Sequence, residues 1–254
     1  MLRVVKSELL KWFSGKMIYI SMIITGFLGT VDYFAAKILM KSGPETIPGL
    51  ADKLNVLSAQ EYMVNSMVNL ISGGSIFIIV TIMIATLITE DYGRGTMKYS
   101  LLAVSRKDLI IGKIVSAGLL IMMLVLSAAA SSGVVGMVAY GWDETSHTMM
   151  EVVTIFILTW LTLYGFSSLL IFAIGRTTKL SGAIAMGIGI FMTTGLVGGL
   201  VPVSIKRFII GVDFYRVANL SSVYQERILT SGLIYLLLFT VLNIVFFRRK
   251  EIMY

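Results

Sequence analysis

Cysteine is absent from the 254 residues, histidine occurs once, proline three times, and only 14% of the side chains are charged. The missing thiols exclude a disulfide framework, a thiolate zinc site and an iron–sulfur cluster. The lone His147 stands in an acidic stretch beside Asp143 and Glu144, so no metal or catalytic site is predicted there. No GxxxxGK[ST] loop occurs, and nucleotide hydrolysis by the P-loop route is excluded. Charge is missing in long blocks as well: 62–89, 114–142, 152–175, 180–205 and 228–247 carry no charged side chain at all.

What is present is apolar, with 57% hydrophobic residues and a mean hydropathy of +0.89. Stretches of about 18 or more apolar residues read as membrane-spanning helices. The pattern predicts an all-α integral membrane protein, one membrane domain over 1–254, with six spans near 17–36, 66–88, 114–140, 152–174, 180–202 and 229–247. Too little chain is left over for a soluble domain of ordinary size. The first span reads as a retained helix rather than a cleaved signal peptide, since no small-residue cleavage pattern follows it.

Basic residues set the expected orientation. With the N-terminus inside, the inner segments hold Arg3, Lys6, Lys11, Lys16, five cations in 89–113, then Arg176, Lys179, Arg248, Arg249 and Lys250. That is fourteen of the 21 basic residues, which places both termini in the cytoplasm. The net charge of +7 then reflects topology and attraction to anionic membrane lipid, and no nucleic-acid partner is predicted.

Residues 1–15 read as an amphipathic interfacial helix, with Leu2, Val5, Leu9, Trp12 and Phe13 at helical spacing and Arg3, Lys6, Ser7 and Lys11 on other faces. In the last outer segment, Ile205, Phe208, Ile209, Val212 and Tyr215 repeat that spacing. The spacing predicts either a short interfacial or re-entrant helix closing the outer mouth, with Phe208, Ile209 and Tyr215 as outer gate or interfacial residues, or equally a plain surface helix. Small residues gather in the third span (Ala128 to Gly136) and the fifth, where Gly195 and Gly199 form a GxxxG suited to close helix packing, within the chain or between subunits. The spans show no buried ionisable pair of the kind that marks proton relays, Asp32 being the one candidate and interfacial by its position.

The densest information lies in the charged insert TEDYGRGTMKYSLLAVSRKDLIIGK, 89–113, between two charge-free runs. It is expected to be a water-facing cytoplasmic loop. Its order is Glu90, Gly95-Thr96, Leu101-Leu102, Ser105-Arg106, then Gly112-Lys113 at the mouth of the third span.

This order resembles the cytoplasmic coupling segment of type-2, ABCG-like ABC exporter permeases, with Val104 where many members place proline. The topology is similar too, most of all to small bacterial permeases of bacteriocin-immunity and phenol-soluble-modulin exporters. The resemblance implies a coupling helix between spans 2 and 3, with Glu90, Gly95, Thr96, Leu101, Leu102, Ser105, Arg106 and Lys113 contacting a separately encoded ABC ATPase. It also implies a second permease copy or paralogue, surrounding membrane lipid, a bacterial cytoplasmic membrane, and no cofactor on this chain, ATP and Mg being used by the ATPase. The expected function is ATP-driven export of a hydrophobic or amphipathic substrate such as a peptide, drug or lipid-like molecule. A membrane-embedded enzyme is disfavoured, since no cluster of Asp, His, Ser or Glu recurs within the spans. A non-transporting receptor or assembly factor is the remaining alternative.

Overall fold

A computed structural model describes residues 2–31, 33–35, 37, 58–93, 104–142, 148–175, 177–206, 208–212 and 222–249. Among them the regular structure is entirely helical. In chain order the helices are α1 (Leu2–Ser14), α2 (Lys16–Leu28), α3 (Ala59–Ser72), α4 (Ser75–Gly93), α5 (Arg106–Tyr140), α6 (Met149–Ile174), α7 (Leu180–Leu200), α8 (Val203–Lys206) and α9 (Ser222–Arg249). Five are long and apolar enough to cross a membrane: α4, α5, α6, α7 and residues Val223–Phe247 of α9. Helix α2 is apolar but has only 13 residues before Gly29. Helices dominate because hydrocarbon offers no partner for a backbone N–H or C=O, so each span must satisfy its own.

Polar residues mark where the helices begin. The hydroxyls of Ser58, Ser105 and Thr148 accept from the backbone N–H of Glu61, Asp108 and Glu151, at 3.2, 3.1 and 3.4 Å. Each follows the Ser/Thr-x-x-acid pattern of a capped start. At the third of these the Thr148 N–H also donates to Glu151 Oε2 at 2.8 Å.

The predicted second span is two helices rather than one. Gly73 and Gly74 separate α3 from α4, and Gly74 takes φ +74, a left-handed conformation only glycine adopts without strain. A Cβ at Gly74 would also lie 2.5 Å from the Phe191 ring. The third span starts earlier than its charge-free run: α5 begins at Arg106 and continues for 35 residues. The last eight residues of the charged insert, 106–113, are therefore helix continuous with the span.

Helices α5 and α6 form the centre, with Leu120, Ile121, Leu124, Ile155, Leu163 and Phe166 buried. Inter-helix hydrogen bonds add to this packing. Ser127 and Ser131 on α5 donate to the carbonyls of Met22 and Gly26 on α2 at 3.1 and 2.7 Å. Ser66 on α3 donates to the Gly29 carbonyl at 2.8 Å, and the Trp160 indole on α6 donates to the Gly118 carbonyl at 2.9 Å. On the far side, Asn243 of α9 donates to the Ser168 carbonyl at 3.0 Å. Such bonds tie helices together where lipid provides no hydrophobic drive. Helices α7 and α9 leave large apolar side chains exposed, among them Met192, Leu196, Leu200, Leu237 and Val241.

Candidate functional site: a buried ring of charges

Four charged side chains meet where α1, α4 and α5 converge. Lys113 Nζ lies 2.6 Å from Asp91 Oδ2 and 3.2 Å from Glu8 Oε1. Lys11 Nζ lies 2.9 Å from Asp91 Oδ1 and 3.3 Å from the same Glu8 oxygen. Each lysine thus bridges both carboxylates, closing a ring of alternating sign and zero net charge. Lys113 also donates to the Leu87 carbonyl at 2.8 Å, one turn back along α4. The side chains of Lys113, Asp91 and Glu8 are 3, 4 and 5% exposed, and only Lys11, at 33%, reaches the surface. Burial by itself would lower the Lys11 pKa; its hydrogen bond to Asp91 and the charges of Glu8 and Asp91 outweigh this and raise it, so Lys11 is a cation at neutral pH.

Local sequence explains how the ring assembles. Gly112 lets α1 approach closely: a Cβ there would lie 2.8 Å from Val4 Cβ and 2.5 Å from one of its methyl carbons. Ser105 caps α5 by accepting from Asp108 N–H, and donates to Asp108 Oδ2 at 2.8 Å, which fixes the helix start. Lys113 then lies about 10 Å along α5 from Arg106 at 1.5 Å per residue. A small apolar cluster of Val4 and Leu109 sits beside the ring, with Tyr92, Val104 and Phe247 packed on it. Val104, where the resembled family often has proline, therefore packs on the cluster formed by Val4 and Leu109.

This geometry corrects three sequence expectations. Asp91 and Lys113 are not in a water-facing loop; they are buried, because α4 and α5 extend into the insert from both sides. Ionisable pairs are not missing from the helical bundle, since this ring closes one end of it. The apolar face of α1 does not simply face lipid: Val4, Val5, Glu8 and Trp12 are buried, whereas Leu2, Leu10 and Phe13 are exposed. Glu8 and Lys11 were missed as site residues. The available signal was an acid at Glu8, three residues after Val5 and four before Trp12, hence on the apolar face.

Of the predicted coupling residues, Glu90 is partly exposed on α4, Ser105 is the α5 cap, Arg106 is exposed in its first turn, and Lys113 is in the ring. Gly95, Thr96, Leu101 and Leu102 lie outside the described residues, as do Asp32 and Tyr215.

At the opposite end the predicted outer helix is shorter than its spacing suggests. Helix α8 has four residues, and Phe208 to Val212 follow as turns with Gly211 at φ +82, which breaks the helical repeat. Phe208 is exposed and Ile209 partly so, while Ile210 is buried in the main core. These turns border a cavity of about 320 Å³ whose walls include Phe77, Phe191, Thr194, Ile210 and Val212. Gly195 and Gly199 line this cavity, and among the described residues a Cβ at either would meet nothing within 4 Å.

Residues 4–198 match the family model described as ABC-2 family transporter protein. The chain belongs to the ABC-2 family. No curated protein matches the sequence. The ABC-2 match opens inside α1 and closes inside α7, so it contains the entire charge ring and the insert. This ABC-2 chain is a multi-pass membrane protein and a transport permease subunit, not itself a catalyst, of a kind that works with an ATPase partner.

Proposed function

We propose that this ABC-2 permease is the membrane subunit of an ATP-driven exporter for a hydrophobic or amphipathic substrate, driven by a separate ATPase that docks on residues 94–105. The charge ring carries this reading. Asp91 and Lys113 lie on either side of that segment and are joined at 2.6 Å, so its base is clamped to α4 and α5 together. Glu8 and Lys11 add α1 to the same unit. A push on the segment then moves three helices as one body, as rigid-body switching between inward- and outward-facing states requires. The orientation has both termini in the cytoplasm of a bacterial cell and six spans, with α3 and α4 together forming the second. The permease pairs with a second copy or a paralogue, and ATP and Mg are consumed by the ATPase.

The test replaces Leu101 and Leu102 with Asp. Apolar contacts on the ATPase would then face unpaired carboxylates, which are strongly unfavourable when buried. Co-purification with the cognate ATPase is expected to weaken by about a hundredfold, roughly 3 kcal/mol, and substrate-stimulated ATP turnover to fall with it. Wild-type association and transport in the double variant would overturn the reading.

Orientation is checked separately, because the absence of cysteine gives a clean labelling background. Single cysteines at Glu45 and Asp143 are expected to react with an impermeant maleimide added to intact cells, and those at Lys107 and Lys179 only after lysis. The reverse pattern would invert the topology.

A further inference from the structure

Helix α1 has a second working surface. Arg3, Lys6, Ser7, Leu10, Lys11 and Ser14 line a shallow groove of about 530 Å³ on its outward side. Among the described residues no acidic side chain lines it. Arg3 and Lys6 are exposed and make no ion pair among the described residues. The apolar neighbours matter equally: Leu10 lies among these cations, and Leu2 and Phe13 are exposed on the same helix.

Helix α2 follows directly in the chain and also exposes apolar side chains. Beyond the Gly15 bend, Met17, Ile20, Ile23, Ile24 and Phe27 are exposed, and the Tyr19 hydroxyl donates back to the Phe13 carbonyl at 3.2 Å, tying the elbow. A cationic groove with Leu10 in its lining, flanked by exposed Leu2 and Phe13 and followed in the chain by an apolar helix with exposed side chains, has the chemistry to take a phospholipid: phosphate on the cations, acyl chains along the apolar residues. A free anion would have no use for Leu10, Leu2 and Phe13.

We propose that this groove binds an anionic phospholipid, its phosphate held by Arg3, Lys6 and the exposed side of Lys11. Lys11 is common to groove and ring. A phosphate there competes with Glu8 and Asp91 for the same ammonium, so anionic lipid loosens the clamp that joins α1 to α4 and α5. The lipid site rests on membrane insertion alone; loss of the exporter reading would leave it standing, and loss of the site would leave the exporter reading intact.

The experiment uses the full-length permease in nanodiscs of phosphatidylcholine with added phosphatidylglycerol, and reads retained lipid by native mass spectrometry. Phosphatidylglycerol is expected to be retained in preference to phosphatidylcholine, and about thirtyfold more weakly by the double variant Arg3→Gln, Lys6→Gln. Equal retention of both lipids, or unchanged retention by the variant, would overturn the proposal. Displacement of the lipid by inorganic phosphate at matched concentration would also overturn it, in favour of a free-anion site. So would a variant that keeps its lipid but loses the ATPase in co-purification, since the groove would then be a protein-docking surface.

Discussion

Replacing Lys113 with methionine is expected to lower the thermal unfolding midpoint of the purified permease by about 10 °C. Lys113 sits between Glu8 and Asp91, at 3.2 and 2.6 Å. Removing it leaves two buried carboxylates sharing Lys11 alone. Breaking a buried pair from one side costs about 3–5 kcal/mol, most of it the desolvation of the charge left behind. The Leu87 carbonyl also loses a donor. A second substitution separates charge from packing. Glu8→Gln in the Lys113→Met background leaves a neutral Lys11–Asp91 pair, and about half or more of the lost stability is expected to return. If Lys113→Met melts within about 2 °C of the native chain, or if Glu8→Gln deepens the loss, the ring is not the stabilising unit described here.

Gly112→Leu is expected to release α1 from the bundle. Even a Cβ at that position would meet Val4 at 2.5 to 2.8 Å, so a full side chain must push α1 away from α5. Overpacking of this kind costs about 1–3 kcal/mol. Because α1 carries Glu8 and Lys11, the displacement also opens the ring. The readout is limited trypsin digestion, since Lys11 is the partly buried cleavage site on α1. Cleavage after Lys11 is expected to accelerate by about tenfold or more, matching that cost converted to an opening equilibrium. Gly93→Leu is the control, as a Cβ there meets nothing within 4 Å among the described residues. An unchanged cleavage rate in Gly112→Leu would show that α1 docking does not depend on the close approach.

Much of the helical layout was legible in the residues. The charge-free runs at 152–175, 180–205 and 228–247 correspond to α6, α7 and the apolar part of α9 within a few residues. That works because insertion into hydrocarbon is governed by composition, and a helix in lipid satisfies its backbone regardless of its neighbours. Helix starts were written just as locally, in Ser58-x-x-Glu61, Ser105-x-x-Asp108 and Thr148-x-x-Glu151, since a cap uses atoms within four residues. Less legible was the break at Gly73–Gly74. Glycines occur throughout the apolar runs, and what distinguishes this pair is the φ of +74 at Gly74 and the Phe191 ring beside it.

The candidate site was legible only in part. The insert 89–113 stood out by charge, and Ser105, Arg106 and Lys113 were marked by their order. Their environments were not. A lysine at the mouth of a span reads as solvated by default, and hydropathy cannot tell a cation in water from one enclosed by two carboxylates. Glu8 and Lys113 are 105 residues apart, and nothing local to either names the other. On its own, the sequence determined a multi-span helical chain with one patterned, charged insert, because those properties follow from composition and short-range spacing. Only the tertiary structure decided that the insert's ends are clamped in a buried ring with α1, because paired burial of charges is a property of helices meeting in space.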